Sequence, residues 1–453
     1  MSVTIVNKIS YRMYTSALLQ NKIKNLPPWA LSVCAALSAF CVYFCMYAFR
    51  KPFAAAGFAG MSFLGFDYKV WLVTAQVIGY MLSKFYGIKF ISAMKGEKRA
   101  LTIVKLILLA WLALLLFAIT PAPYNIIFLF LNGFPLGMVW GLVFSFLEGR
   151  KSTEFMGAVL SISFIFSSGV VKSVGKSIVL NWHVSEMWMP FIAGSFFVIP
   201  MILFTWLLNH IPPPTEEDVL LRSVRKPMTG AERKAFINTF LPGIIIIVFT
   251  YVLLTILRDF RDNFSNELWK EMGYGNNAAI FTETETYVSL IVLLCMSLLI
   301  LVKNNIRAFM INHFIIIGGY ALALISTLLF LAKYINPVIW MTMIGTGLYL
   351  SYVPFNALYF ERMIATYKVK SNIGFIMYIA DAFGYLGSVL VLFLKEFIGV
   401  KLSWTNFFTD AVLIITVIGI AGTFVAAFYF KRKYGVVEKQ NLESALLSNK
   451  VPA

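Results

Sequence analysis

The stretch NHIPPPTEEDVLLRSVRKPMTGAERK, residues 209–234, is the one long polar run in an otherwise apolar chain. Three consecutive prolines, Pro212 to Pro214, stop any helix that reaches them, because proline lacks an N–H and its ring clashes with the turn before it. The residues that follow are mostly polar and charged. The run reads as a tether between two apolar blocks, and that reading sets the architecture. Before it, six apolar segments centre near Ala39, Val77, Leu112, Leu136, Phe166 and Phe197. After it, six more centre near Ile247, Leu293, Ala321, Gly347, Asp381 and Ile418. A spanning helix needs about 20 mostly apolar residues, whereas a barrel strand needs about ten with alternating polarity. These runs are too long and too uniform for strands. The expected fold is an all-α integral membrane protein with about twelve transmembrane helices in two six-helix halves.

Composition agrees. Only 13% of the 453 residues are charged, against about 25% in soluble domains, and mean hydropathy is +0.80. The net charge of +17 would suggest nucleic acid in a soluble protein. In a membrane protein it follows from cytoplasmic loops, which collect Lys and Arg, so no nucleic-acid partner is expected. With the N-terminus inside, about 24 Lys and Arg fall on the inner side and about five on the outer, which places both termini in the cytoplasm. The expected divisions are an N-terminal arm (1–28), a first half (29–209), a cytoplasmic linker (210–238), a second half (239–430) and a tail (431–453). The first 25 residues are mixed and amphipathic and lack the apolar core and cleavage site of a signal peptide. The four cysteines all lie in apolar segments, so neither a disulfide framework nor a metal spacing is present. No nucleophile–base or metal constellation points to an enzyme, and no cofactor is expected. The expected surroundings are the lipid bilayer of the cell (inner) membrane, with the chain as a monomer.

Charged groups at helix centres cost about 2.5–3.5 kcal/mol each on insertion scales, so they face the bundle interior. In YFCMYAFRKPF (43–53), Tyr43, Tyr47 and Arg50 follow at i, i+4 and i+7 and share one helical face, with Lys51 one step around. Two readings stand. The pair caps the helix at the interface, or it lines an internal site; a cap would lie on the outer side, against the positive-inside bias, and Lys51 then suits a carboxylate of the other half. In the second helix Tyr80 and Lys84 are again i and i+4, with a lysine snorkelling to the interface as the alternative. The seventh region contains RDFRD, with Arg258 and Arg261 at i and i+3 and Asp259 and Asp262 likewise. It reads as a self-neutralised cluster or as one arginine in a site with an aspartate holding it. Lys172 and Asp381 lie in opposite halves and suit a gating pair, a proton carrier or a static pair. Glu283 and Glu285 open the eighth helix at the interface. Gly133, Gly137 and Gly141 form a small-residue ladder suited to close helix packing. GVVKSVGKS (169–177) has five residues between its glycines and lies in a membrane helix, so it is not a phosphate-binding loop.

The halves echo each other. FSFLEGR (144–150) matches ALYFER (357–362), and RKPF (50–53) matches RDNF (261–264), at similar offsets. Six plus six helices with a central cytoplasmic linker is the layout of the major facilitator superfamily. Within it, YFCMYAFRK resembles the first-helix signature of the organophosphate:phosphate antiporters, and YMLSKF (80–85) resembles their second-helix Tyr-x-x-Ser-Lys-Phe. The resemblance implies a substrate site between the halves, in which the first-helix arginine and a seventh-helix arginine grip phosphate while the tyrosines and the second-helix lysine line it. Carried onto this chain, these are Arg50, Lys84, Tyr43, Tyr47 and Tyr80. Spacing back from LWKE (268–271) gives Arg258 as the seventh-helix arginine, and the internal repeat gives Arg261 as its alternative. Lys51, Asp259, Asp262, Lys172 and Asp381 are left for gating or coupling. The chain departs from the family in two places: GIKFISAMKGEKR has no aspartate, and RDFRDNF is more acidic than its counterpart. The implied function is exchange of a small organic anion, a phosphate ester, for inorganic phosphate by alternating access. The alternatives are a proton-coupled symporter of a sugar or organic acid, and a membrane sensor of a phosphate ester.

Overall fold

The structure, a computed structural model, describes residues 16–92, 94, 96–215, 218, 230–367, 373–397 and 403–448. Most of the N-terminal arm and of the linker, and the last residues of the tail, lie outside these. Among the described residues twelve helices have 18 residues or more. In the first half they are α1 (Pro28–Tyr47), α2 (Tyr68–Ser92), α3 (Arg99–Ile119), α4 (Ile126–Leu147), α5 (Thr153–Trp182) and α6 (Met189–Asn209). In the second they are α7 (Gly230–Asn263), α8 (Ile280–Ile300), α9 (Asn305–Leu331), α10 (Pro337–Pro354), α11 (Ile373–Phe397) and α12 (Trp404–Ser448). Each contains one of the twelve centres expected from hydropathy. All but α2, α10 and α11 are also long and apolar enough to cross a bilayer by length and composition. Large apolar side chains such as Ile199, Leu294 and Phe428 stand exposed on the bundle surface, as a lipid-facing exterior requires. The part of the expected linker from Gly230 onward is already the first turns of α7.

Helix packing repeats with an offset of six. Within the first half α1 meets α5 and α6, α2 meets α4, and α3 meets α4 and α6; in the second, α7 meets α11 and α12, α8 meets α10, and α9 meets α10 and α12. The halves join along α2·α11 and α5·α8, which are the same contact seen from either half. The echoed sequence motifs thus belong to a repeated six-helix unit related by an internal two-fold. Even helix number returns the chain to its starting side, so the start of α1 and the end of α12 share one end of the bundle, here called the proximal end.

Glycine permits the closest of these contacts. A Cβ on Gly133 of α4 would run into the backbone carbonyl of Gln76 on α2, and one on Gly79 of α2 into that of Phe130 on α4. A Cβ on Gly137 would likewise meet Ser83 and the Tyr80 carbonyl of α2, so Gly133 and Gly137 are packing positions, as their spacing suggested.

Candidate functional site

The site begins where α1 stops. Regular helix ends at Tyr47, Arg50 and Lys51 follow in a turn, and a 3₁₀ turn runs from Pro52 to Ala55. The cation pair thus lies just beyond a helix end and not in a helix middle. Yet it is buried, with Arg50 6% and Lys51 3% exposed, so it is no interfacial cap. A helix end inside a bilayer leaves carbonyls that must find donors. Gln76 Nε2 donates to the Arg50 carbonyl at 3.0 Å and to Asn132 Oδ1 at 2.8 Å, and Asn132 Nδ2 donates to the Phe49 carbonyl at 3.0 Å. Two amides from α2 and α4 therefore hold the break in α1 open.

Around this break the two halves enclose a cavity lined from α1, α2, α4, α5, α7, α10 and α11. The space open to the centre of a water molecule is about 60 Å³, above the roughly 10–15 Å³ a cavity needs to admit water. Tyr43, Tyr47, Arg50, Lys51, Tyr80 and Lys84 line it from the first half, and Arg258, Asp259, Asp262 and Asp381 from the second. Arg261 and Lys172 do not line it.

The guanidiniums of Arg50 and Arg258 each lie over a tyrosine ring. Arg50 stands 3.8 Å from the Tyr80 centroid and Arg258 3.9 Å from that of Tyr352, cation–π contacts that hold a cation in an apolar wall. Their other partners differ. Arg258 bonds Asp259 at 2.6 Å, whose second oxygen accepts from Ser388 at 3.1 Å. Arg50 meets no carboxylate among the described residues, and its buried Nε has no hydrogen-bond partner. Lys51 reaches across to Asp262 and donates to Asn263 at 2.8 Å, the meeting with a carboxylate of the other half that its position suggested. Lys84 lies 3.3 Å from Asp381, to which Tyr251 also donates.

Lys172 and Asp381 do not pair with each other. Lys172 bonds the far oxygen of Asp262 at 2.9 Å, so one carboxylate holds two lysines, and Asp381 belongs to Lys84. Nor is Glu285 interfacial. It is buried and bonds Arg261 Nη1 at 2.7 Å, while Arg261 Nη2 donates to the Met341 carbonyl at 3.0 Å. Arg261 thereby pins α7 to α8 and α10, and the cavity arginine of α7 is Arg258, one turn earlier.

Further ties close both ends. At the distal end, away from the termini, Lys69 of α2 bonds both oxygens of Glu267 at 2.6 and 2.7 Å, in the short helix Ser265–Glu271 after α7. Burial pushes the Glu267 carboxyl up from its ordinary value, against the pull of the Lys69 ammonium. At the proximal end, Arg362 donates to Glu154 of α5 at 2.9 Å. Arg362 follows a π-helical turn, Phe355–Tyr359, that interrupts the rod of α10, and Asn356 in that turn lines the cavity. Sequence reasoning missed the wall contributed by Trp140, Tyr349, Tyr352, Asn356 and Tyr385. Aromatics on apolar helices look the same facing lipid, core or cavity.

A family profile described as "Family of unknown function (DUF5690)" matches residues 52–433. No curated protein matches. Among solved structures, a D-xylose-proton symporter superposes with a TM-score of 0.58 at 14% identity, covering 89% of this chain and 97% of that one. A nucleoside transporter does so with a TM-score of 0.55 at 15% identity, covering 89% and 99%. At such identities the likeness carries the fold alone: the major facilitator fold of a multi-pass membrane protein.

Proposed function

The chain belongs to DUF5690, a family of unknown function, and we propose that this member moves a small organic anion, a phosphate ester, by alternating access in exchange for phosphate. The observation that carries the reading is Arg50. It is a buried guanidinium on the cavity wall with no carboxylate beside it among the described residues, and a buried unpaired charge is costly. An anion bound there removes that cost, and a planar guanidinium suits two oxygens of one phosphate. Arg258 faces the same cavity from the other half and can give up Asp259 to a second pair of oxygens, drawing the halves together. Lys84 adds a point charge, and Tyr43, Tyr47 and Tyr80 supply hydroxyls. Lys51 with Asp262 and Lys172 acts as the distal gate, and rocking of the halves exposes the site alternately. Returning with Arg50 empty is unfavourable, which favours exchange over one-way movement. The protein works as a monomer in the cell (inner) membrane.

The test uses purified protein in liposomes loaded with phosphate, with uptake of a panel of labelled phosphate esters as readout. Uptake that depends on internal phosphate and is lost in Arg50→Lys is the expected result. Normal uptake by Arg50→Lys would remove Arg50 from the site. Uptake driven by a pH gradient without internal phosphate would favour symport, and binding without flux a sensor.

A further inference from the structure

The cavity continues past its two arginines. Tyr80, the ring under Arg50, is followed one turn toward the proximal end of α2 by Lys84, whose ammonium lies 5.8 Å from the ring of Trp140 on α4. Tyr352, the ring under Arg258, is followed one turn toward the proximal end of α10 by Asn356. Met377 stands one turn to the proximal side of Asp381 in α11. Trp140, Asn356 and Met377 all line the cavity. It therefore reaches about 6 Å beyond the arginines, at a rise of about 1.5 Å per residue.

Asn356 is the one carboxamide among the described lining residues. It continues the stripe of Tyr349 and Tyr352 at i+7 and i+4, and it lies in the π turn Phe355–Tyr359, a device frequent at functional sites. Its Nδ2 donates to the Tyr352 carbonyl at 3.3 Å, and its Oδ1 has no partner among the described residues. A carboxamide has two N–H donors and an oxygen with two lone pairs, so most of its capacity is unused. Beside the carbon surface of Trp140 and Met377, an unmet amide oxygen is costly, and a ligand group that donates to it removes that cost. The arginines read only the phosphate, which all esters share. Telling one ester from another needs a contact to the organic group, and Asn356 stands where that group lies when phosphate bridges Arg50 and Arg258.

Resting on the reading of the cavity as a phosphate-ester site, we propose that Asn356 is its specificity residue. The organic group points toward the proximal end, lies against Trp140 and Met377, and donates a hydroxyl hydrogen bond to Asn356 Oδ1. The substrate class is then a hydroxylated phosphate ester. An ester with a bare hydrocarbon group leaves the amide oxygen unmet and binds less tightly.

The experiment is calorimetric titration of the purified protein with inorganic phosphate and two matched pairs of esters. The pairs are glycerol 3-phosphate with n-propyl phosphate, and glucose 6-phosphate with cyclohexylmethyl phosphate. Within each pair the charged group is the same, the carbon group is of similar size, and the hydroxyls differ. The hydroxylated member of at least one pair is expected to bind about three- to tenfold more tightly, the size of one hydrogen bond. In Asn356→Leu that ratio is expected to fall to about one; Asn356→Ala serves for the same measurement should the leucine variant fail to fold. A ratio that survives the substitution overturns the proposal, and so does equal weakening of phosphate and all four esters, which marks a structural role. The absence of any preference in the unaltered protein overturns it without a variant. In each of these cases phosphate binding leaves the anion site standing. No binding by any of the five probes overturns both.

Discussion

Replacing Arg261 by Met separates the structural arginine of α7 from the one on the cavity. Arg261 and Glu285 are 3% and 5% exposed, so the substitution strands a buried carboxylate. It removes a charged hydrogen bond of 2.7 Å to Glu285 and one of 3.0 Å to the Met341 carbonyl. Breaking one side of a buried pair costs about 3–5 kcal/mol, or two to three and a half factors of ten in the folding equilibrium at about 1.4 kcal/mol each. Replacing both partners by apolar residues of similar volume is often neutral or better. Arg261→Met with Glu285→Leu is therefore expected to recover the thermal stability of the purified protein and also its exchange activity. The matching pair at the cavity, Arg258→Met with Asp259→Leu, is expected to recover stability while exchange stays lost. Thermal unfolding followed by tryptophan fluorescence, beside liposome exchange, reads both quantities on the same preparations. A stable Arg261/Glu285 double variant without transport would place Arg261 in the transport machinery and refute the division between the two arginines.

Three further outcomes follow from packing and from the ties between halves. Gly133→Ala forces a methyl into the Gln76 backbone, and overpacking of about 1–3 kcal/mol should lower the unfolding temperature; an unchanged midpoint would mean that α2 and α4 separate freely. Tyr80→Phe keeps the ring beneath Arg50 and should retain most ester binding, whereas Tyr80→Leu removes a contact of about 0.5–2 kcal/mol and should weaken affinity several-fold. Equal affinities in titration would remove the ring from the site. Glu267→Gln leaves Lys69, 1% exposed, without its carboxylate, and should shift the population toward opening at the distal end. Ser168 of α5 is buried and donates to Asp262 beneath that end; labelling of Ser168→Cys by a membrane-impermeant thiol reagent then rises, and an unchanged rate would show that the Lys69–Glu267 tie does not hold that end shut.

Helix number, the two halves and the first-half side of the cavity were legible because they depend on properties local to the chain. Apolar runs of spanning length mark each helix, and the 3.6-residue period places Tyr43 and Tyr47, or Tyr80 and Lys84, on shared faces whatever they meet, with Arg50 reaching the same cavity from the turn just past α1. The partners of the charges were not legible, since pairing depends on which helices of opposite halves touch. Lys172 therefore went to Asp262 and Asp381 to Lys84, although sequence made Lys172 and Asp381 natural candidates for one another. Arg258 and Arg261 differ by one turn on one helix, and Glu285 on α8 with the Met341 carbonyl on α10 decides between their roles. The turn that ends α1 before Arg50 was hidden as well, because the donors that stabilise it, Gln76 and Asn132, lie 26 and 82 residues away in sequence.

The π-helical turn Phe355–Tyr359 divides the α10 rod between two tasks. Before it, Tyr352 supports Arg258 at the cavity; after it, Arg362 grips Glu154 of the opposite half. A π turn carries a residue too many for the regular ladder and bends more easily than the helix on either side. In the alternating-access cycle proposed above, displacement at the cavity reaches the proximal clasp through this joint. Deleting one residue from the turn would stiffen that joint and swing Arg362 about 100° around the helix axis, at 3.6 residues per turn, away from the carboxylate it holds.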